Sequence, residues 1–579
     1  MPPARASVPP ARGSFNRSEA LSRLGEETFD VLVVGGGITG AGVALDAASR
    51  GLRTALVERD DFASGTSSKS SKMVHGGLRY LQQRDFRLVY EALHERQRLL
   101  ENAPHLVAPL PFLIPLFGRD GVVNKGMARA YATALTLYDI TGGLRIGRRH
   151  RRITRAEALA HLPTLRTDRL VAGFIYYDAR ADDARLTLTI ARTAALDHGA
   201  VMANYVEVTG LLTDASGDVR GARVRPALPG GEPSAELEVR AHVVVNATGV
   251  WADEVRALEE PSHPHSIRPA KGIHVTVRRS KLPADIAAVI PVPKDRRSIF
   301  VVPWPDGDDV YLGTTDTDWD GPLDDPACLP ADVDYVLDAA NGAVTEPLTR
   351  HDVTGVWAGL RPLLAPAQGH HVSARTADLS RRHTVRVSPH GMVTVTGGKL
   401  TTYRRMAEDT VDAVVKGLGS RVPEGARRCQ TKRLAVRGAS GLEPLRLPGA
   451  ASGFGVDEDV FAALVGRHGG ETPAVLDLAT GRPELLEPLV PGLPHLRAEA
   501  LWAVRHEMAM TVDDVLERRT RSLLRRALAA AEAAPAVAQL LAGEWGRDAA
   551  SVARDAAAFA DRARHDLARA GLDPVSSTP

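Results

Sequence analysis

Residues 29–61 read FDVLVVGGGITGAGVALDAASRGLRTALVERDD, and they decide the fold. Val31–Val34 is a short apolar, β-branched run suited to a strand covered on both faces. Gly35, Gly37 and Gly40 follow as G-x-G-x-x-G. The first permits a tight turn, the second lets backbone approach a pyrophosphate, and the third allows close helix–sheet packing. AGVALDAASRG then reads as a helix closed by Gly51, and Arg53–Glu58 as a second strand. Glu58 stands 18 residues past Gly40, where a carboxylate accepts hydrogen bonds from a ribose and disfavours a 2′-phosphate. Strand, glycines, helix, strand and acid in this order imply a dinucleotide site for FAD or NAD, not NADP.

Working outward, 579 residues are too many for one core. The composition is that of a soluble globular protein, and a net charge of +2 gives no field that argues for nucleic acid. Cys328 and Cys429, far apart, make neither a disulfide framework nor a cysteine zinc site, and they fit a reducing cytosol. No apolar run approaches the roughly 18–20 residues of a membrane span. Residues 1–25, rich in Pro, Ala, Arg and Ser, lack the apolar core of a secretory signal and read as a disordered tail.

The periodicities predict helices over 86–100 and 124–140, with a Pro-rich strand between them. Asp182 and Asp183 stand where a helix cap belongs. Strand patterns run from residue 201 to AHVVVNATG, recur in KGIHVTVR, SIFVVPW and DVYLGTT, and return before a long helix after Gly398. Beyond about residue 420 strand signals vanish. The expected organisation is a tail over 1–25, an oxidoreductase region over 26–420, a linker over 421–450 and a helical domain over 451–570. Within 26–420, dinucleotide-binding segments are expected at about 26–100, 170–260 and 350–420, with a β-rich substrate domain interleaved. The fold class is therefore α/β, Rossmann-like, with an all-α C-terminal domain.

Two further segments favour FAD. The strand ending in Ala247-Thr248-Gly249 brings bare backbone beside a dinucleotide, and Gly397-Gly398 precede a helix whose N-terminus meets the negative charge of a reduced isoalloxazine. Between Glu58 and the next helix comes TSSKSSKMVHGGLRYL, starting at Thr66. Its position predicts that Thr66, Ser67 and Ser68 bond the pyrophosphate and ribityl chain. Gly76 and Gly77 would let backbone pass the ring, and His75, Arg79 and Tyr80 would face the substrate.

These blocks, with NATGVWAD, KGIHV, LGTTDTD, GLRPLL, GGKLTTYRRMAE and WAVRHEMAMTVDDVLERRTR, run in order from about residue 29 to 525. They resemble the FAD-dependent respiratory glycerol-3-phosphate dehydrogenases among the DAO-type flavoproteins. The resemblance implies oxidation of sn-glycerol 3-phosphate to dihydroxyacetone phosphate by hydride transfer from C2 to FAD. It adds Val206, Gly398 and Leu400 as cofactor contacts. A dianionic phosphate calls for clustered cations, and the motif-matched ones are Arg79, Arg361, Arg375 and Lys399, with Tyr80 beside them. Proton removal from the C2 hydroxyl calls for histidine: His75 first, His274 second, with Arg361 stabilising the alkoxide. The acids of Thr315–Asp320 lack the ligand pattern of a cation loop, so no metal is assigned.

The resemblance also implies a quinone acceptor and an enzyme in the cytoplasm, peripherally attached to the cytoplasmic membrane. Arg145, Arg148, Arg149, Arg151, Arg152 and Arg155 could attract anionic lipid at about 1 kcal/mol each. An oxidase using O2, an amine or hydroxy-acid oxidase, and a non-catalytic flavin-binding regulator stay open as alternatives. So does a homodimer.

Overall fold

The computed structural model describes residues 12–78, 85–118, 125–229, 231, 234–262, 265–292, 297–365 and 382–572. Two sheets organise the chain. In the first, Thr28–Val34 lies between Thr54–Val57 and Leu237–Asn246, parallel to both. Val201–Ala203 and Val393–Gly397 extend it in the same sense, and His383–Val387 closes one edge antiparallel. A hairpin, Val206–Thr213 with Val219–Pro226, extends the outer part of Leu237–Asn246. The central strands are β-branched and buried along most of their length, as a sheet covered on both faces requires. Helices Ile38–Ser49, Asp183–His198 and Tyr403–Leu418 pack together on one face, around Val31, Val33, Ala44, Ile190 and Val411.

The second sheet holds ten strands among the described residues. Its backbone is the long antiparallel pairing of Ile267–Arg278 with Val353–Leu364, and of Val107–Phe117 with Leu170–Ala181. The C-terminal part is helical, with Glu458–His468, Arg497–Glu507, Ala527–Trp545, Ala549–Arg569 and a π-helical turn at Asp514–Arg519.

Two expectations need correction. Residues 17–26 are not a disordered tail but a helix, capped by Asn16, with Leu24 fully enclosed and Phe15 and Ala20 buried. Leu170–Ala181 and Val353–Leu364, placed among the dinucleotide-binding segments, belong to the second sheet. The stretch 421–450, read as a linker, is tied to its neighbours. Val436 N–H bonds the Asn102 carbonyl, and Arg437 pairs with Asp197 and Glu471. The helical part also shares its core with the second sheet, since Val515, Leu516 and Ala530 cluster with Ile273, Val275 and Ala358.

Candidate flavin site

Val34, Val57 and Asn246 end their strands in register, and a cleft opens beyond those carboxyl ends. It encloses about 370 Å³ and is lined by Gly35, Gly37, Glu58, Thr66, Ser67, Val206, Ala247, Gly249, Gly398, Lys399 and Leu400. Eleven of the residues singled out in the sequence therefore share one surface. The glycines explain why. Gly35 has φ +106°, and a Cβ there would stand 2.8 Å from the Ala247 carbonyl oxygen. A Cβ on Gly40 would overlap the Gly35 carbonyl, so this glycine serves the packing of helix on turn and does not line the cleft.

Helix Ile38–Ser49 starts at the cleft with no side chain of its own at the cap. Ser67 serves instead, its Oγ accepting the Ile38 N–H at 2.9 Å. Glu58 accepts N–H groups of Gly36 at 2.5 Å and Asp60 at 2.9 Å, and burial pushes its carboxyl up to about 7. Thr66 Oγ1 donates to the Leu360 carbonyl at 2.5 Å, which ties the polar loop to the second sheet. Ser68 is fully buried and does not line the cleft; its carbonyl receives Lys72 Nζ at 3.1 Å and Arg521 Nη2 at 2.9 Å.

Next to the lining residue Leu400, the Thr401 hydroxyl exchanges backbone bonds with His75, at 3.1 and 3.3 Å; neither residue lines the cleft. Gly76 is packed from behind, its N–H donating to Tyr138 Oη at 3.0 Å, and a Cβ there would meet Leu93 at 2.6 Å. Tyr138 and Arg96 both bind the buried Asp178.

His274 lies in the second sheet, 2% exposed. Its Nε2 is 2.8 Å from Ser71 Oγ, and its ring stacks on Trp357 at 4.7 Å and 10°. Burial, then the charges of Lys72 and Arg361, hold its imidazole well below the usual histidine range. Arg361 sits across the register from Ala270, donating to Thr314 Oγ1 at 3.1 Å and the Thr315 carbonyl at 3.2 Å. Gly272 makes the room, since a Cβ there would strike the guanidinium. The next residue, Pro362, lines the cleft. Asp316, from the acidic run, pairs with Arg361, and Asp318 with Arg268.

Arg79, Tyr80 and Arg375 lie outside the described residues. Asp182 caps its helix, accepting the Arg185 N–H at 3.0 Å. Sequence reasoning missed Ser71, Trp357 and Asp183 as partners of the site. Ser71 stood inside the singled-out loop, but nothing local pairs it with a histidine 203 residues away.

The cleft suits FAD on its own terms: backbone bared by glycine, a helix N-terminus whose Ile38 N–H is held by Ser67, suited to phosphate, and a carboxylate for ribose hydroxyls. A family model described as FAD dependent oxidoreductase matches residues 30–404, and one described as the C-terminal domain of alpha-glycerophosphate oxidase matches 429–552. Glycerol-3-phosphate dehydrogenase 2 of Mycobacterium tuberculosis is 43% identical over 573 residues, covering 98% of this chain and 94% of that protein. The chain belongs to the FAD-dependent oxidoreductases, among the glycerol-3-phosphate dehydrogenases. The mitochondrial glycerol-3-phosphate dehydrogenase of Homo sapiens is 37% identical over 558 residues, 93% of this chain and 73% of that one. The crystal structure of the glycerol-3-phosphate dehydrogenase of Bacillus halodurans complexed with FAD superposes with TM-score 0.75, at 32% identity, over 97% of this chain and 99% of that one. FAD is the flavoprotein's cofactor.

Proposed function

We propose that the protein oxidises sn-glycerol 3-phosphate to dihydroxyacetone phosphate and passes the electrons to a membrane quinone. The observation that carries the oxidation is likeness through both parts of the chain, not the dinucleotide region alone. FAD, when bound, supplies the acceptor for the hydride that leaves C2. The chain's own residues then have three tasks. Gly35, Gly37, Glu58, Ser67, Val206, Ala247, Gly249, Gly398 and Leu400 hold the cofactor. Lys399, with Arg79, Tyr80 and Arg375, holds the phosphate. A base takes the C2 hydroxyl proton while Arg361 steadies the developing negative charge.

Of the two histidines, His274 is the better supported base. Its ring is fixed by Ser71 and Trp357, and burial with the Lys72 and Arg361 charges leaves it unprotonated at rest, at some loss of basicity. His75 is tied by backbone bonds to Thr401, beside the lining residue Leu400.

Support for membrane contact is local. Phe86, Tyr90 and Ile140 are 46%, 53% and 71% exposed, and Arg145 lies over the Tyr90 ring at 5.9 Å. Apolar side chains beside arginines suit an anionic interface. Among the described residues, no helix is long and apolar enough to cross a membrane.

Anaerobic mixing of the yellow protein with sn-glycerol 3-phosphate tests the reaction. Bleaching of the flavin band near about 450 nm is expected, and an unchanged spectrum overturns the reading. Steady-state turnover with a soluble quinone should exceed turnover with O2; stoichiometric peroxide with no quinone reduction would make it an oxidase. Sedimentation with anionic but not neutral vesicles tests the membrane contact.

A further inference from the structure

The loop that joins the flavin cleft to His274 is gripped from the C-terminal domain. The segment Glu517-Arg518-Arg519-Thr520-Arg521 reaches it at three points, the first an ion pair of Glu517 with Lys69. Arg518 and Arg519 both bind Asp61, at 2.8 and 2.6 Å, just before the loop. Arg521, 2% exposed, donates to the Ser68 carbonyl and forms an ion pair with Asp183. Asp183 in turn receives Ser70 N–H at 2.9 Å and Ser70 Oγ at 2.7 Å. Ser71, the next residue, hydrogen-bonds His274, and its carbonyl is held by Tyr311 Oη at 3.0 Å.

Arg521 and Lys72 both take left-handed backbone, φ +60° and +55°, on either side of this carboxylate. Neither is glycine, so the surrounding contacts must impose that geometry. Buried ion pairs add little net stability over a well-packed apolar replacement. Asp183 keeps Lys72 Nζ at 3.1 Å when Arg521 is lost, so what Arg521 adds is the place of the carboxylate and of the Ser68 carbonyl. An arginine whose bonds end on a carbonyl of the site loop and on the carboxylate beneath it is therefore suited to fixing that loop's position.

We propose that Arg521 is a positioning residue for substrate oxidation: through Asp183 and Ser70 it sets the place of Ser71, and through Ser71 the orientation of His274. The C-terminal domain is thus part of the catalytic apparatus without touching the substrate. The proposal rests on the reading of His274 as the base.

The test is anaerobic stopped-flow reduction of FAD-loaded variants, with FAD content and thermal midpoint measured alongside. Arg521→Met should keep FAD and hold the apparent substrate affinity within about threefold, yet slow reduction by about 10²-fold, the cost of a roughly 1 Å misplacement. Arg521→Lys, which keeps the charge, should recover part of that loss. Ser70→Ala should slow reduction by itself but add nothing to Arg521→Met, because both act along one chain of contacts. Arg525→Lys is the control: it disturbs a neighbouring buried arginine bound to Asp306 and Asp309, so it should lower the midpoint and leave the rate unchanged.

The proposal is overturned if Arg521→Met reduces FAD at the wild-type rate, if its effect and that of Ser70→Ala multiply, or if Arg525→Lys slows reduction equally. Should Arg521→Met fail to fold, Arg521→Lys against Ser70→Ala decides by the same criterion. His274→Gln separates the two readings. A wild-type rate there removes the base, whereas a slow His274→Gln that Arg521→Met slows no further supports the whole chain.

Discussion

His274 owes its neutrality to its surroundings. Enclosure removes the water that would solvate an imidazolium, and Lys72 and Arg361 add repulsion. Protonation is thereby displaced to well below the ordinary 6.5, so the base stays competent as pH falls through the usual histidine range. The rate of flavin reduction should hold through pH 6, with its acid limb well below, and His274→Gln should lower it by about 10²–10⁴-fold. A limb near 6–7 that survives in His274→Gln would return the role to another group, with His75 next. The glycines offer a second residue-scale test. Gly40→Ala would drive a methyl into the Gly35 carbonyl, so it should unfold the first βα unit. Gly37→Val should fold, because a Cβ there meets only Ser67 Oγ at 3.1 Å, but emerge colourless as its methyls fill the pyrophosphate path. Glycine spacing is legible in sequence because turn and helix are contiguous. The pairing of His274 with Trp357 and Ser71 is not, because strand register brings the first to it across 83 residues and loop packing the second across 203.

At the scale of the element, Arg17–Glu26 shows how composition misleads. Its neighbours are Pro-, Arg- and Ser-rich, which reads as tail, yet Ala20 and Leu24 recur at helical spacing behind Phe15. Asn16 accepts the Glu19 N–H, and Arg17 ties the helix to the carbonyls of Asn204 and Tyr205, at 2.9 and 3.1 Å. Removing residues 1–26 strips Leu24 and Phe15 from the core and should cost on the order of 5 kcal/mol. Denaturant titration checks this: an unchanged midpoint would mean the helix is an ornament. Asp182 illustrates the reverse case. A carboxylate directly before an apolar-periodic run is a local signal with a local cause, and the structure has it capping that helix. Sheet membership sits between these extremes. Leu170–Ala181 and Val353–Leu364 are plainly strands in sequence, but which sheet receives them is settled by long-range pairing partners that no local pattern names.

For the whole molecule, the junction between the helical domain and the rest carries the pH dependence. His105 packs against Gly438 and Gly469, and His495 lies beside Arg467 and Glu499; burial holds both imidazoles at about 3. Unfolded, each would titrate near 6.5. Between those values the unfolded chain binds more protons, so stability must fall as pH drops below about 6.5, by about 2 kcal/mol per histidine at pH 5. The carboxylates act in a lower window. Glu471, held to about 2 chiefly by Arg192, and Glu499, held well below its usual range by Arg467, lose their contribution only as pH falls from about 4.5. Acid should therefore loosen the junction in two stages, histidines first. Urea midpoints measured between pH 7 and 5 are expected to fall while Glu471 and Glu499 keep their charge. Glu58, pushed up to about 7, takes a proton in the folded state over the same interval and offsets about one histidine. His495→Gln should flatten that slope by about one proton, roughly 1.4 kcal/mol per pH unit, whatever it does to stability at pH 7. If the slope is unchanged in His495→Gln, the early stage belongs to other groups, and the histidines at the junction are not what couples folding to pH.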